Sequence, residues 1–262
     1  MAGPISRLGG RVVASITELG DISVLLFRIF RLLPQAHRVG RQTLEQMMEI
    51  GINSMPLVMV TSIFTGSVAA IQAAYQLEDW IPDIYVGWFV GKSVIMELGP
   101  VLTGLVVGGR VGASIAAEIG TMKVTEQIDA LESLAIDSTR YLVLPRFLAG
   151  VLMIPAVVVF ADVLAILGGL VAAVSSIGMS SQTFTNGLRM LFVMDDVWAG
   201  LIKSVIFGSI IALMGCYYGL RTEGGAEGVG RAATRAVVSS CLLILVSDYI
   251  LAELLFGFIF SV

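Results

Sequence analysis

Lys92, Asp162, Lys203 and Asp248 stand inside long apolar runs of this sequence, and Glu97 follows Lys92 closely. An ionisable group in apolar surroundings is costly, so it pairs with an opposite charge, relays protons or binds a polar ligand. Counted from the ends of their runs at about 1.5 Å per residue, the first four lie very roughly 10 Å deep. That depth predicts one polar layer, with Asp248 paired to Lys203 or Lys92. A structural clasp, a proton relay and a headgroup site are all compatible with it. Glu97 lies deeper, beside Gly99-Pro100 in "ELGPVLTGL", where a missing backbone donor should bend or break a helix. Its own run offers it no obvious partner.

A second constellation lies in "GGRVGASIAAEIGTMKVTEQIDAL", residues 108–131. Lys123, Glu126, Asp129 and Glu132 recur every third position, while Val124, Ile128, Leu131 and Ala135 recur at helical spacing. Thr125 is the expected N-cap, with Glu126 at the positive end of the helix. The pattern predicts a short amphipathic helix with an acidic outer face, continuous with the glycine-rich run before it. Gly87 and Gly91, and Gly104, Gly108 and Gly112, are spaced four apart, as on a helix face that lets a neighbouring backbone approach. "GKS" at 91–93 is not a phosphate loop: Val86 stands where that motif needs glycine, and no strand precedes it. "RTEGGAEGVGRAATRAV" reads as a flexible basic loop. Cys216 and Cys241 sit in apolar runs, as buried thiols do, and form no metal-binding spacing.

The elements that must position these residues follow from composition. Of 262 residues, 56% are hydrophobic and 14% charged, and the mean hydropathy is +0.91. A soluble domain carries about 25% charged residues, so the chain lacks the polar surface to cover a globule. Five runs are long enough to span a membrane: Ile50 to Leu77, about Ile84 into the 108–131 motif, Phe147 to about Ile177, Val197 to Leu220, and Ala236 to the end. The segment "DISVLLFRIFRLLPQAHRVGR" is too short, since crossing takes roughly 20 apolar residues. It reads as a helix in the membrane interface, with Arg28 and Arg31 toward headgroups. Six arginines precede the first run. The 78–83 connection has only acids, the next connection carries Arg110, Lys123, Arg140 and Arg146, the third has Arg189 against Asp195 and Asp196, and the last has Arg221, Arg231 and Arg235. The alternation predicts a cytoplasmic N-terminus and an opposite C-terminus. The fold class is therefore an all-α polytopic membrane protein: five transmembrane helices, an N-terminal amphipathic interfacial helix and a short cytoplasmic helix. Residues 1–262 form one domain, with 1–49 as its cytoplasmic or interfacial region and 50–262 as its transmembrane core.

The blocks "ELGPVLTGLVVGGRVGASIAAEIGTMKVTEQIDAL", "PRFLAGVLMIP" and "GVGRAATRAVVSS" resemble the MlaE (YrbE-type) permeases, membrane subunits of ABC transporters that serve MCE proteins. The resemblance covers nearly the whole chain from about Ile50. It implies a homodimer in the bacterial inner membrane, with the C-terminus in the periplasm. It also implies two cytoplasmic ATPase subunits that bind ATP and Mg, a STAS-domain protein and a periplasmic MCE-domain ring. The implied cargo is phospholipid moved between inner and outer membranes, which maintains outer-membrane asymmetry; nucleic acid is not a partner. Carried over by residue, Glu126 and Gln127 head an ATPase-coupling helix that continues through Asp129 and Glu132. Ala69, Gln76, Leu77 and Trp80 match lipid-cavity positions, although Ala69 and Gln76 replace bulkier apolar residues. Glu97, Lys203 and Asp248 match polar membrane positions, and Met96 replaces a basic residue. This chain needs no cofactor or metal of its own and is not itself an enzyme. A small-solute ABC importer permease, a proton-coupled transporter or channel using the charge layer, and a passive scaffold are the competing readings.

Overall fold

The structure, a computed structural model, describes residues 4–77, 82–190 and 193–258. Among the described residues the ordered elements are helices and no strand occurs. They are α1 (Pro4–Leu32), α2 (Gly40–Ile50), α3 (Met55–Leu77), α4 (Ile84–Ser93), α5 (Gly99–Val124), α6 (Gln127–Ser133), α7 (Leu144–Ser175), α8 (Ser181–Met190), α9 (Met194–Leu220) and α10 (Gly225–Phe258). Among the described residues, five stretches are long and apolar enough to cross a membrane: Ile16–Leu77, Ile84–Val124, Thr139–Ser175, Met194–Leu220 and Gly225–Leu255. The chain is an all-α polytopic membrane protein.

The packing has α5, α7 and α9 at its centre, with α10 against α5 and α9, α3 and α2 against α7, and α8 against α4. Small residues set these approaches. A Cβ on Gly66 would strike the backbone of Ala165, and one on Gly168 the backbone of Ile63, so α3 and α7 cross backbone to backbone. Gly150 and Gly208 confront each other's carbonyl oxygens in the same way between α7 and α9. The spaced glycines of the second span divide their contacts: Gly87 and Gly91 face Phe184 and Leu188 of α8, while Gly104 and Gly108 face Phe207 and Ile211 of α9. Close approach of this kind replaces the hydrophobic drive that lipid removes.

Several elements differ from the sequence expectation. The interfacial helix does not begin near Asp21; α1 is helical from Pro4 and is 29 residues long. Leu25 and Ile29 turn inward, while Phe27 and Phe30 remain 70% and 54% exposed, so the helix is amphipathic as expected. The Tyr218 hydroxyl donates to Glu18 at 2.7 Å and Arg221 pairs with Asp21, which ties α1 to the end of α9. The supposed loop at 221–237 is largely helix, because α10 already begins at Gly225. Gly224 and Gly225, at φ +85° and +68°, make the turn before it. The short helix α2 falls at the end of the N-terminal region read as cytoplasmic or interfacial, and α8 falls in the stretch read as the connection between the third and fourth spans.

Gly99-Pro100 neither breaks nor sharply ends the second span. A π turn at Val94–Leu98 joins α4 to α5, and the Gly99 N–H donates to the Val94 carbonyl. Pro100 supplies no N–H, and widening the turn just before it re-registers the hydrogen-bond ladder. The same device precedes Pro145: a π turn at Thr139–Val143, with the Leu144 N–H on the Thr139 carbonyl.

Candidate functional site

Glu97 sits in the first of these π turns. In a regular helix, residues five apart point about 140° away from one another, so Lys92 and Glu97 would address different neighbours. The π turn inserts extra backbone and brings both onto α9. Lys92 reaches Asp196 at 3.6 Å, and Glu97 reaches Lys203, two turns further along, at 2.5 Å. Lys203 is also held by Asp248 of α10 at 2.8 Å. Its side chain is 3% exposed, against 14% for Asp248 and 43% for Glu97. One buried ammonium thus ties the π turn to α9 and α10, with two carboxylates sharing it.

The expected pairing of Asp248 with Lys203 is present, but the single polar layer is not. Lys92, Asp162, Lys203 and Asp248 fall into three places. Lys203 and Asp248 join Glu97; Lys92 joins Asp196, which sequence reading left in a connection. Asp162 lies alone on α7, its Oδ1 shut off from solvent without a hydrogen-bond partner among the described residues. It presses on Gly99, where a Cβ would collide with that oxygen. Equal depth did not mean one cluster, because the helix faces differ.

The other end of the same rod carries the acidic helix. Gln127, Asp129 and Glu132 lie on α6, all exposed, while Ile128 is buried beneath them. The cap differs from expectation. The Thr125 hydroxyl donates back to the Thr121 carbonyl at 2.8 Å and so closes α5, and Glu126 is itself the residue before the helix, at φ +60°. Glu126 therefore stands outside α6, and its side chain caps nothing. Ala135, just beyond α6, has φ +57°. Two non-glycine residues in the left-handed region bracket a helix of seven residues, a conformation that costs about 1–2 kcal/mol per residue and recurs at functional sites. Lys123 of α5 pairs with Asp129 at 2.8 Å and locks α6 against the rod.

Charges within the 108–131 motif staple the rod to its neighbours. Arg110 pairs with Glu49 at 2.9 Å and donates to the Ser54 hydroxyl at 2.8 Å, tying α5 to the end of α2 and to the turn that leads into α3. Glu118 pairs with Arg146 of α7 at 2.9 Å. Arg146, 7% exposed, also donates to the Leu142 carbonyl in the second π turn. Sequence reading gave Arg110 and Arg146 no role beyond orientation; their placement between apolar runs was the available signal.

The residues assigned to a lipid cavity are not gathered within one chain. Glu97 faces α9 and α10, whereas Ala69, Gln76 and Leu77 lie on α3, with Gln76 exposed and the other two half-buried. Trp80 lies outside the described residues. The exposed side of α3 is strongly apolar, with Phe64 at 67%, Val68 at 51% and Tyr75 at 86% exposure.

Among the described residues, five apolar spans enclose a polar tie and carry an exposed helix at one end, the architecture of a protein embedded in a membrane. Residues 43–254 match the family described as Permease MlaE, and the chain belongs to that family. It is 39% identical over 251 residues to a probable ABC transporter permease of Rickettsia bellii, covering 96% of this chain and 97% of that one. It is 33% identical over 254 residues to the intermembrane phospholipid transport system permease protein MlaE of Haemophilus influenzae, covering 97% of each. It is also 33% identical over 216 residues to TRIGALACTOSYLDIACYLGLYCEROL 1 of Arabidopsis thaliana, covering 82% of this chain and 62% of that one. The chain is an ABC transporter permease subunit embedded in a membrane.

Proposed function

We propose that this permease moves phospholipid between the inner and outer membranes of a bacterial envelope and so maintains outer-membrane asymmetry. It works as a homodimer in the inner membrane, with α1 and α6 on the cytoplasmic side and the C-terminus in the periplasm. Two ATPase subunits hold ATP and Mg and grip α6 through Gln127, Asp129 and Glu132. A STAS-domain protein and a periplasmic MCE-domain ring complete the assembly. The Haemophilus relative's transport of phospholipid supports the cargo, and the arginines near α1, α2 and the α9–α10 turn support the orientation.

The observation that carries the coupling is continuity. From Glu97 to Val124 the chain runs as one helix, about 40 Å at 1.5 Å per residue, with α6 locked to its far end by Lys123 and Asp129. A push on α6 travels along α5 to the π turn, and the Glu97–Lys203–Asp248 tie passes it to α9 and α10. The apolar faces of α3 and α10, where Phe64 is 67% and Tyr249 70% exposed, suit a chamber for acyl chains between two copies.

Gentle extraction from native membrane, followed by mass spectrometry of protein and lipid, tests the reading. Two copies of this chain travelling with an ATPase and phospholipid are expected. A single copy with neither would overturn it.

A further inference from the structure

Where α1 meets the end of α9 and the start of α10, two adjoining cavities of about 200 and 300 Å³ share Tyr217 and Arg221. They lie at the α6 end of the bundle, since a Cβ on Gly120 of α5 would meet Thr222 of their lining. The smaller is walled by Val24, Leu25 and Leu220, with Asp21, Arg28 and Arg221 as its charges. The larger is polar and adds Glu18, Glu223, Arg231 and Arg235. Ligand pockets span about 300–1,000 Å³ and combine apolar walls with a few placed polar groups; the two cavities together meet both conditions.

Most of these charges are already engaged within the chain. Arg221 pairs with Asp21, Arg231 pairs with Glu227, and Glu18 accepts from the Tyr218 hydroxyl. Arg28, Arg235 and Glu223 form no ion pair or hydrogen bond among the described residues. Two cations and one carboxylate are therefore left to meet a ligand. Tyr217 adds a buried donor. Its residue is 4% exposed, and the Arg221 guanidinium covers its ring, 4.7 Å from the centroid. The Tyr217 hydroxyl itself is shut off from solvent without a hydrogen-bond partner among the described residues. Buried polar groups are normally hydrogen-bonded, so this donor points to an acceptor from outside the chain. A phosphodiester suits the planar fork of arginine, and a hydroxyl beyond it would suit Glu223. One net negative charge on the ligand balances the three groups. A soluble anion would leave the Val24, Leu25 and Leu220 wall uncovered, and these residues belong to stretches long and apolar enough to cross a membrane.

We propose that the paired cavities hold one resident anionic phospholipid whose headgroup carries free hydroxyls. Its phosphodiester accepts from Arg28, Arg235 and the Tyr217 hydroxyl, and its headgroup hydroxyl donates to Glu223. One acyl chain runs along Val24, Leu25 and Leu220. Held in this way, the lipid fastens α1 to the turn between α9 and α10, beside the Arg221–Asp21 pair. The site shares no residue with Ala69, Gln76, Leu77 or Glu97, nor with α6. It goes beyond the transport reading, because occupancy here needs neither an ATPase nor a second copy.

Native mass spectrometry of the full-length chain tests it. The chain is stripped of lipid in dodecylmaltoside, a detergent without phosphate, and titrated with phosphatidylglycerol, phosphatidylcholine or diacylglycerol of the same acyl chains. One phosphatidylglycerol per chain should bind roughly tenfold more tightly than either comparison lipid. Choline offers Glu223 no donor, and diacylglycerol offers the arginines no anion. Arg28→Gln/Arg235→Gln changes only exposed side chains and should raise the half-saturating concentration of that molecule at least tenfold, roughly the loss of one charge-assisted hydrogen bond or more. Tyr217→Phe should raise it about fivefold. The same variant should melt no lower than the unsubstituted chain in lipid-free detergent, because the hydroxyl that it removes bonds nothing in the chain. Equal binding of the three lipids, or unchanged binding by either variant, would overturn the site. Lower melting of lipid-free Tyr217→Phe would also overturn it, by marking the hydroxyl as engaged within the fold. Displacement by soluble glycerophosphoglycerol at equal concentration would do the same, by marking a site for a free anion.

Discussion

Replacing Lys203 with methionine should damage this protein far more than replacing either carboxylate that it holds. Methionine keeps the length of the side chain and removes the charge. Asp248 and Glu97, which share the ammonium at 2.8 and 2.5 Å, would then face each other without a cation in a medium that screens poorly. Removing one partner of a buried ion pair typically costs about 3–5 kcal/mol. For a chain of this size each kcal/mol moves the melting temperature by about 2–4 °C, so Lys203→Met should lose roughly 10 °C. Glu97→Gln or Asp248→Asn leaves Lys203 with one carboxylate, a neutral pair, and should cost only about 1 kcal/mol. The triple variant Lys203→Met/Glu97→Gln/Asp248→Asn removes all three charges and should recover most of the loss. Thermal unfolding of the purified chain in one detergent, followed by the loss of its monodisperse elution peak, supplies the comparison. Equal shifts for Lys203→Met and Asp248→Asn would refute the shared-ammonium argument. A triple variant no more stable than Lys203→Met would refute it as well.

Two further outcomes follow from backbone geometry. Glu126→Gly should hold or raise the melting temperature, because glycine adopts φ +60° without the cost of about 1–2 kcal/mol that other residues bear there. Glu126→Ile should lower it, and protease cleavage near Thr125 should quicken in the isoleucine variant alone. Gly208→Leu should abolish the monodisperse peak altogether, since the Gly150 carbonyl occupies the space of its Cβ, whereas Gly109→Leu, with nothing near its Cβ, should elute like the unsubstituted chain.

The spans were legible because apolar length decides them: runs such as Val197 to Leu220 have little alternative to a membrane helix. The need to pair Asp248 was legible for a related reason, since a lone charge at that depth is too costly. What escaped the sequence was rotation. Depth places Lys92 beside Lys203, but only the π turn decides that Lys92 meets Asp196 and Glu97 meets Lys203. No composition rule marks that turn beyond the proline that follows it. The helices α2 and α8 also escaped, because "GRQTLEQMMEI" and "SQTFTNGLRM" are short and polar, the first within the N-terminal region and the second within a connection. At α6, the periodicity from Val124 to Ala135 gave the helix but hid its first residue. Its geometry is set by a left-handed Glu126, which the propensity rules do not anticipate.

The central claim is that a partner acts on α6 and thereby moves lipid. The direct measurement is ATP-driven transfer of fluorescent phospholipid by the complete transporter in proteoliposomes, comparing the unsubstituted permease with Gln127→Lys/Glu132→Lys. Both positions are exposed and leave the Lys123–Asp129 pair intact. Transfer should fall at least tenfold, the loss expected when a charge contact of about 1.4 kcal/mol or more is reversed, while the chain still folds and inserts. Transfer at the unsubstituted rate, with the ATPase still bound, would contradict the account.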